Sequence, residues 1–254
     1  MTPQIVGILC GGRSGEHEVS LTSAFGIFGA LDRTRFSPLL VVIAKDGTWR
    51  AGSADELLLR PGDPARIALN PHAPPVAPVA VGNRLMLLEA STHRPLHEVE
   101  LVLPIIHGTD GEDGALQGLL RIWNLPFVGA GVLGSALGMD KDVAKRLCAQ
   151  ADLPQTPWVT LRERPADPVA AFEILAAQVQ PPLFVKPAAL GSSVGIIRVE
   201  TAGQFAAALE EAFAFDTKVV VEAGVPKARE IEISVLGARG STVCPVRASR
   251  AGEV

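Results

Sequence analysis

Tyrosine is absent from this 254-residue chain, and cysteine occurs only at positions 10, 148 and 244. Three widely spaced cysteines, with no CxxC or Cys/His cluster, exclude a disulfide framework and a zinc site and suit a reducing compartment, so a cytoplasmic location is expected. Positive charge is also scarce. The 23 lysines and arginines against 27 acidic residues leave a formal net charge of -4, which offers long nucleic acid no broad basic field and favours small ligands. Residues 1–12 contain no basic n-region, and no apolar run reaches the roughly 18 residues of a membrane span. Neither a targeting segment nor a membrane partner is expected.

What the chain does have is apolar material: 48% hydrophobic residues in 254 positions can build two domains. The stretch "IVGILCGGRSGEHEVSL" begins with a run from Ile5 to Cys10 that suits a strand buried on both faces and ends at Gly11 and Gly12. A helix with Leu21, Phe25 and Phe28 on one stripe follows. "PLLVVIA" is a second buried strand, and Asp46-Gly47 a turn before Trp49. From Pro61 to Gly82 the prolines make regular structure improbable, and the segment is expected as a surface excursion. A strand at Leu101 to Ile106 comes next, then a helix with Leu116, Leu119, Leu120 and Trp123 on one side, and "LPFVGAG" as the last strand of the first domain.

The second half is sharply punctuated. Asp140 is positioned to cap a helix containing Val143 and Leu147, Asp167-Pro168 supplies an N-cap with proline in the first turn, and Thr201 with Gln204 forms a capping box. Between these helices lie the strands "TPWVTL", "PLFVK", "GIIRVE", "KVVVE" and "EIEISVLG", as in a mixed α+β domain.

Three stretches compete as ligand sites. "GAGVLG" at Gly129 to Gly134 is a formal GxGxxG, but a dinucleotide fingerprint also needs an acidic residue ending the next strand. Asp152 has the spacing without that context, so a tight turn explains the glycines equally. In the opening loop, Glu16 and Glu18 would each repel a triphosphate by about 4 kcal/mol at 4 Å and an effective dielectric near 20. Glu16 better suits the ammonium end of a zwitterion; alternatively both carboxylates serve the dipole of the following helix. "PLFVKPAALGSSVGIIRVE" reads strand, small-residue loop, strand. It is either a glycine-rich flap over phosphates, with Lys186 as fixed charge and Ser192 and Ser193 as donors, or a plain hairpin with a solvent-facing lysine. Glu222, Glu230 and Glu232 could accept from a nucleoside or form a solvated face, and Lys141 could be a phosphate lysine or a helix-surface residue.

Taken in order, "GGRSGEHEVSL", "HGTDGEDGALQGLL", "PFVGAGVLGSALGMDK", "FVKPAALGSSVG" and "REIEISVLG" resemble the D-alanine-D-alanine ligases of the ATP-grasp superfamily over nearly the whole chain. The resemblance implies an α/β architecture: an N-terminal Rossmann-like parallel-sheet domain over residues 1–138, a central ATP-grasp subdomain over 139–225, and the start of a C-terminal subdomain over 226–254, incomplete at its C-terminus. It implies a reaction in which ATP phosphorylates one D-alanine and the amine of a second displaces the phosphate, for peptidoglycan synthesis, in a homodimer. By the same resemblance Glu16 holds the first ammonium and pairs with Ser192, while His107 and Glu112 lie on the substrate side. Lys141, Lys186, Ser192 and Ser193 meet the phosphates, Glu222, Ala223 and Val225 the adenine, and Glu230 the ribose. His17 receives no role, and His72, His93 and His97 fall on the surface. The family's tyrosine-bearing loop, an arginine and the magnesium ligands match no position up to Val254, so no metal ligand is assigned.

Rival readings are a related ligase that takes D-lactate or D-serine second, a catalytically silent nucleotide-binding protein, and a dehydrogenase.

Overall fold

The structure is a computed structural model describing residues 2–228, with the strand backbone of 231–234 and 246–250. β1 (Gln4–Gly11) leads into α1 (His17–Ala30), then β2 (Phe36–Ile43) and β3 (Trp49–Gly52). A single turn, α2 (Ala54–Leu57), is held by a capping box between Ser53 and Glu56 and precedes a two-residue ladder of β4 (Leu58–Leu59) with β5 (Ala68–Leu69). β6 (Pro75–Val81), β7 (Arg84–Glu89), β8 (Pro95–Val99) and β9 (Leu101–Pro104) complete a seven-stranded sheet, ordered β8-β7-β6-β3-β2-β1-β9.

Only β9, β1 and β2 run parallel; β3, β6, β7 and β8 extend the sheet as antiparallel hairpins. The Rossmann-like part is thus the β9-β1-β2 half, whose carboxyl ends carry the loops of interest. β1 shows why its run is continuously apolar. Ile8 and Cys10 pack with Leu21 and Leu40 on the α1 face, while Leu9 packs with Val41, Leu87 and Leu120 on the other. Full burial pushes the Cys10 thiol up to about 12, so it is an inert core residue.

Two expectations are corrected. The proline-rich stretch is not an excursion: its second half forms β6 inside the sheet. β6 pairs with β3 only at Trp49↔Val76 and Arg50↔Pro75, so most of its length behaves as an edge, where proline is tolerated. "LPFVGAG" is not a strand but a single bridge, Val102↔Phe127.

α3 (Ala115–Ile122) follows the polar loop after β9 and buries Leu116 and Leu120; α4 (Val132–Met139) and α5 (Lys141–Gln150) come next. The second sheet contains β10 (Trp158–Leu161), β11 (Leu183–Pro187), β12 (Ile197–Val199) and β13 (Val219–Ala223) in the order β10-β13-β11-β12, antiparallel throughout. α6 (Pro168–Val179) and α7 (Ala202–Phe215) cover it, with Phe205, Leu209, Leu183 and Val221 in the shared core. The three expected caps are present: Asp140 accepts from Val143 N, Asp167 from Val169 and Ala170 N, and Thr201 with Gln204 closes a capping box. On α5 Leu147 is 48% exposed, and the buried residue is Asp142. β14 (Ile231–Ser234) and β15 (Val246–Arg250) pair with each other.

Candidate active site

Tight backbone turns build the opening loop. Gly11 and Gly12 have φ of +86° and +93°, and a Cβ on Gly11 would lie 2.3 Å from the carbonyl oxygen of Ile43. Only glycine satisfies both demands. Behind the turn, the Gly11 N–H donates to Ser20 Oγ, and Ser20 Oγ donates to the carbonyl of Ile105. His17 is buried, and its Nδ1 lies 2.7 Å from the Gly12 carbonyl; because a carbonyl only accepts, Nδ1 carries the proton. His17 is therefore a brace for the loop.

The two carboxylates of the loop diverge. Glu18 pairs with Lys45 at 2.6 Å, whose hydrogen bond holds its carboxyl below the usual range. Glu18 also sits in the first turn of α1, whereas Glu16 makes no side-chain cap. The helix-dipole explanation thus accounts for Glu18 and leaves Glu16 for something else. Glu16 instead accepts a hydrogen bond from Ser192 Oγ, across 176 positions of sequence.

Around Glu16 stands the loop after β9. Ser14 Oγ donates to the His107 carbonyl at 2.8 Å, and the Gly108 N–H donates to Glu112 Oε2 at the same distance. His107 Nε2 lies 3.1 Å from Ser23 Oγ, and its Nδ1 3.9 Å from Glu112 Oε1. Gly108 has φ +74°, and a Cβ there would lie 2.4 Å from Glu16 Oε2. A cavity of about 540 Å³ opens beside this loop, between His107, Glu112 and Gln117 on one side and Ala130, Ser135 and Met139 on the other. Gln117 Nε2 donates to the Gly111 carbonyl at 2.7 Å, while its buried Oε1 has no partner.

The serine-rich segment joins antiparallel β11 and β12, which makes it a hairpin flap and not a P-loop. Ser192, Ser193 and Gly195 all have positive φ, and both serines are exposed. Lys186 does not face solvent. Its Nζ pairs with Glu222 Oε1, and Lys145 Nζ holds Glu222 Oε2 at 2.9 Å. Burial alone would push the Glu222 carboxyl up, but the hydrogen bonds from Lys145 and Lys186 outweigh it and hold it below the usual range.

Lys141 begins α5 at the base of the flap. Its N–H donates to the Ala188 carbonyl at 2.9 Å, and its Nζ to the carbonyls of Pro187 and Leu190. Burial, then the nearby charge of Lys186, lowers its proton affinity. The helix itself is anchored by buried Asp142, which accepts from Thr160 Oγ1 at 2.7 Å and Arg146 Nε at 2.8 Å, and by Asp140, which pairs with Lys218.

Ala223 ends β13 and its N–H donates to the Pro157 carbonyl at 3.0 Å; Val225 is 59% exposed just beyond. Glu230, and the side chain of Glu232, lie outside the described residues. Sequence reasoning missed Lys145. The available signal was its position four residues after Lys141, which places both on one face of α5. The GxGxxG segment is followed by helix α4, but no strand precedes it and Asp152 sits in a turn after α5 with φ +55°. The dinucleotide reading therefore lacks its context.

A serine-tipped flap on an antiparallel sheet, closing on the carboxyl-end loops of a sheet with a parallel half, defines an ATP-grasp architecture behind a Rossmann-like domain. The family model described as D-ala D-ala ligase N-terminus matches residues 5–130, and that described as D-ala D-ala ligase C-terminus matches 147–253. The D-alanine--D-alanine ligase A of Escherichia coli (strain K12) is 49% identical over 232 residues, 91% of this chain and 63% of that relative. The solved D-alanine-D-alanine ligase from Coxiella burnetii superposes with a TM-score of 0.77 at 34% identity, covering 93% of this chain and 66% of that one. The VanG D-Ala:D-Ser ligase from Enterococcus faecalis superposes with a TM-score of 0.76 at 30% identity, covering 98% and 69%. The chain belongs to the D-alanine-D-alanine ligase family. It spans 63% of the length of the Escherichia coli relative.

Proposed function

We propose that this chain carries the first amino-acid site and most of the nucleotide site of an ATP-dependent ligase joining two D-alanines for peptidoglycan synthesis. The single observation behind this reading is the bond from Ser192 to Glu16, which brings together the flap tip and the opening loop. Glu16 keeps its second carboxylate oxygen for the D-alanine ammonium, with His107 and Glu112 shaping the same end. Lys141 and Lys186 supply fixed positive charge to phosphates, and the exposed hydroxyls and backbone of Ser192 and Ser193 close over them. Glu222, Ala223 and Val225 border the adenine, and Glu230 is assigned the ribose.

Bound ATP would supply the phosphoryl group that activates one D-alanine carboxylate for attack by the amine of the second. The residues present fit that anion: Lys141 and Lys186, both half-buried, stand at the two ends of the flap's base, and burial, then the nearby charge of Lys186, lowers the proton affinity of Lys141. Magnesium is read as accompanying ATP, with no ligand assigned to it; among the described residues no three His, Cys, Asp or Glu side chains cluster as a metal site. We place domain borders after residues 138 and 225, and read the complete protein as a cytoplasmic homodimer. Among the described residues no helix is long and apolar enough to cross a membrane.

D-alanine-dependent release of phosphate from ATP by the complete protein tests the reading. Release should fall sharply in Lys186→Ala and require more D-alanine in Glu16→Gln. ATP turnover indifferent to D-alanine would overturn it. The likeness to VanG makes D-serine the second-substrate rival, and product analysis with both amines present separates the two.

A further inference from the structure

Lys145 belongs to none of the motifs, yet it pairs with Glu222, the same carboxylate that Lys186 holds. We propose that Lys145 is a positioning residue of the ATP site: by claiming one oxygen of Glu222, it leaves Lys186 with positive charge free to act on a phosphate. The proposal rests on the reading of Lys141 and Lys186 as phosphate lysines.

Lys145 and Lys186 hold opposite oxygens of a single carboxylate, and the three side chains are only 16%, 20% and 12% exposed. One carboxylate cannot neutralise two ammonium groups, so the trio carries a net positive charge before Lys141 is added. Lys145 is held in place independently of any ligand. Its Nζ donates to Thr156 Oγ1 at 3.0 Å and lies 5.2 Å from the centroid of the Trp158 ring. α5, which bears it, is pinned by Asp142 to Thr160 of β10. Lys186, by contrast, is on β11 at the root of the flap.

Removing Lys145 would leave Lys186 as the sole close counter-ion of Glu222 among the described residues. That pair would be neutral, and drawing Lys186 toward an anion would strand a desolvated carboxylate, which is costly. ATP affinity then falls although Lys145 need not touch the nucleotide. The effect must vanish once Glu222 loses its charge, because nothing remains to be shared.

Calorimetric titration of ATP and of adenosine into the folded chain tests this with Lys145→Ala, Glu222→Gln and the double variant. Lys145→Ala should weaken ATP binding about 10-fold, a coupling typical of contacting residues, and change adenosine binding far less. Lys145→Arg should restore ATP affinity. In the Glu222→Gln background, Lys145→Ala should add nothing. Should Lys145→Ala not fold by circular dichroism, Lys145→Gln, which keeps a donor for Thr156, carries the same comparison. Wild-type ATP affinity in the Lys145 variant, or an equal loss in both backgrounds, overturns the proposal while leaving the ATP site standing. Failure of the folded wild type to bind ATP overturns the site reading and this proposal with it.

Discussion

Gly108→Ala would move the Glu16 carboxylate without touching Glu16. Gly108 has φ +74°, and the added Cβ would arrive 2.4 Å from Glu16 Oε2, about 1 Å inside ordinary contact. Two costs follow. An alanine in the left-handed region loses roughly 1–2 kcal/mol relative to glycine, which for a chain of this size lowers Tm by about 2–8 °C. The clash is with the far end of a flexible side chain, so the carboxylate swings aside and the fold survives. Displacing a ligand-holding group by about 1 Å can nonetheless cost on the order of 100-fold in a positioned reaction. In the complete protein, Gly108→Ala should therefore raise the D-alanine requirement far more than the ATP requirement, with a small change in Tm. The companion change Gly11→Ala, whose Cβ would strike the Ile43 backbone oxygen at 2.3 Å, should damage folding itself. A Gly108→Ala protein with unaltered D-alanine dependence would refute the placement of the ammonium on Glu16.

Ser192→Ala should loosen the flap from Glu16, seen as faster proteolysis between residues 188 and 196 in the absence of ligand; an unchanged cleavage rate would show that the bond does not hold the flap. Thr201→Ala breaks the capping box of α7 and should cost about 1 kcal/mol by denaturant titration, whereas an unmoved midpoint contradicts the cap's role. Glu222 has its folded pKa lowered, so its contribution to stability is fully present above the ordinary glutamate value and is lost as pH falls through the lowered one. Glu222→Gln should flatten that acid limb of a Tm-against-pH curve, and parallel limbs would show that the lysine pairing does not stabilise the fold.

Features set by nearby residues were legible in the sequence. The β1 run, the Asp167-Pro168 start and the Thr201/Gln204 box are local patterns whose physics is complete within a few positions. The flap was legible because glycine and serine between two apolar runs specify strand, turn, strand. What escaped depends on partners brought together by folding. Lys145 looked like one more helix lysine because Glu222, 77 positions later, was not visible beside it. Glu16 is singled out in the sequence for an ammonium group, but the residues alone leave the helix dipole open as a role for both Glu16 and Glu18; in the fold Lys45 takes Glu18 and Ser192 meets Glu16. Pro75 and Pro78 argued against a strand, correctly for a fully paired one, but β6 is paired along most of its length on one side only. Gln117, with one unpartnered oxygen at the cavity, lies between Leu116 and Leu119 of α3 and carries no signature of its own.

The most direct measurement is a crystal structure of the complete protein with a non-hydrolysable ATP analogue and D-alanine. The terminal phosphate should lie beneath residues 191–193 beside Lys141 and Lys186, with the D-alanine ammonium on Glu16. A nucleotide bound away from those lysines, or an amine held by some other carboxylate, would contradict it.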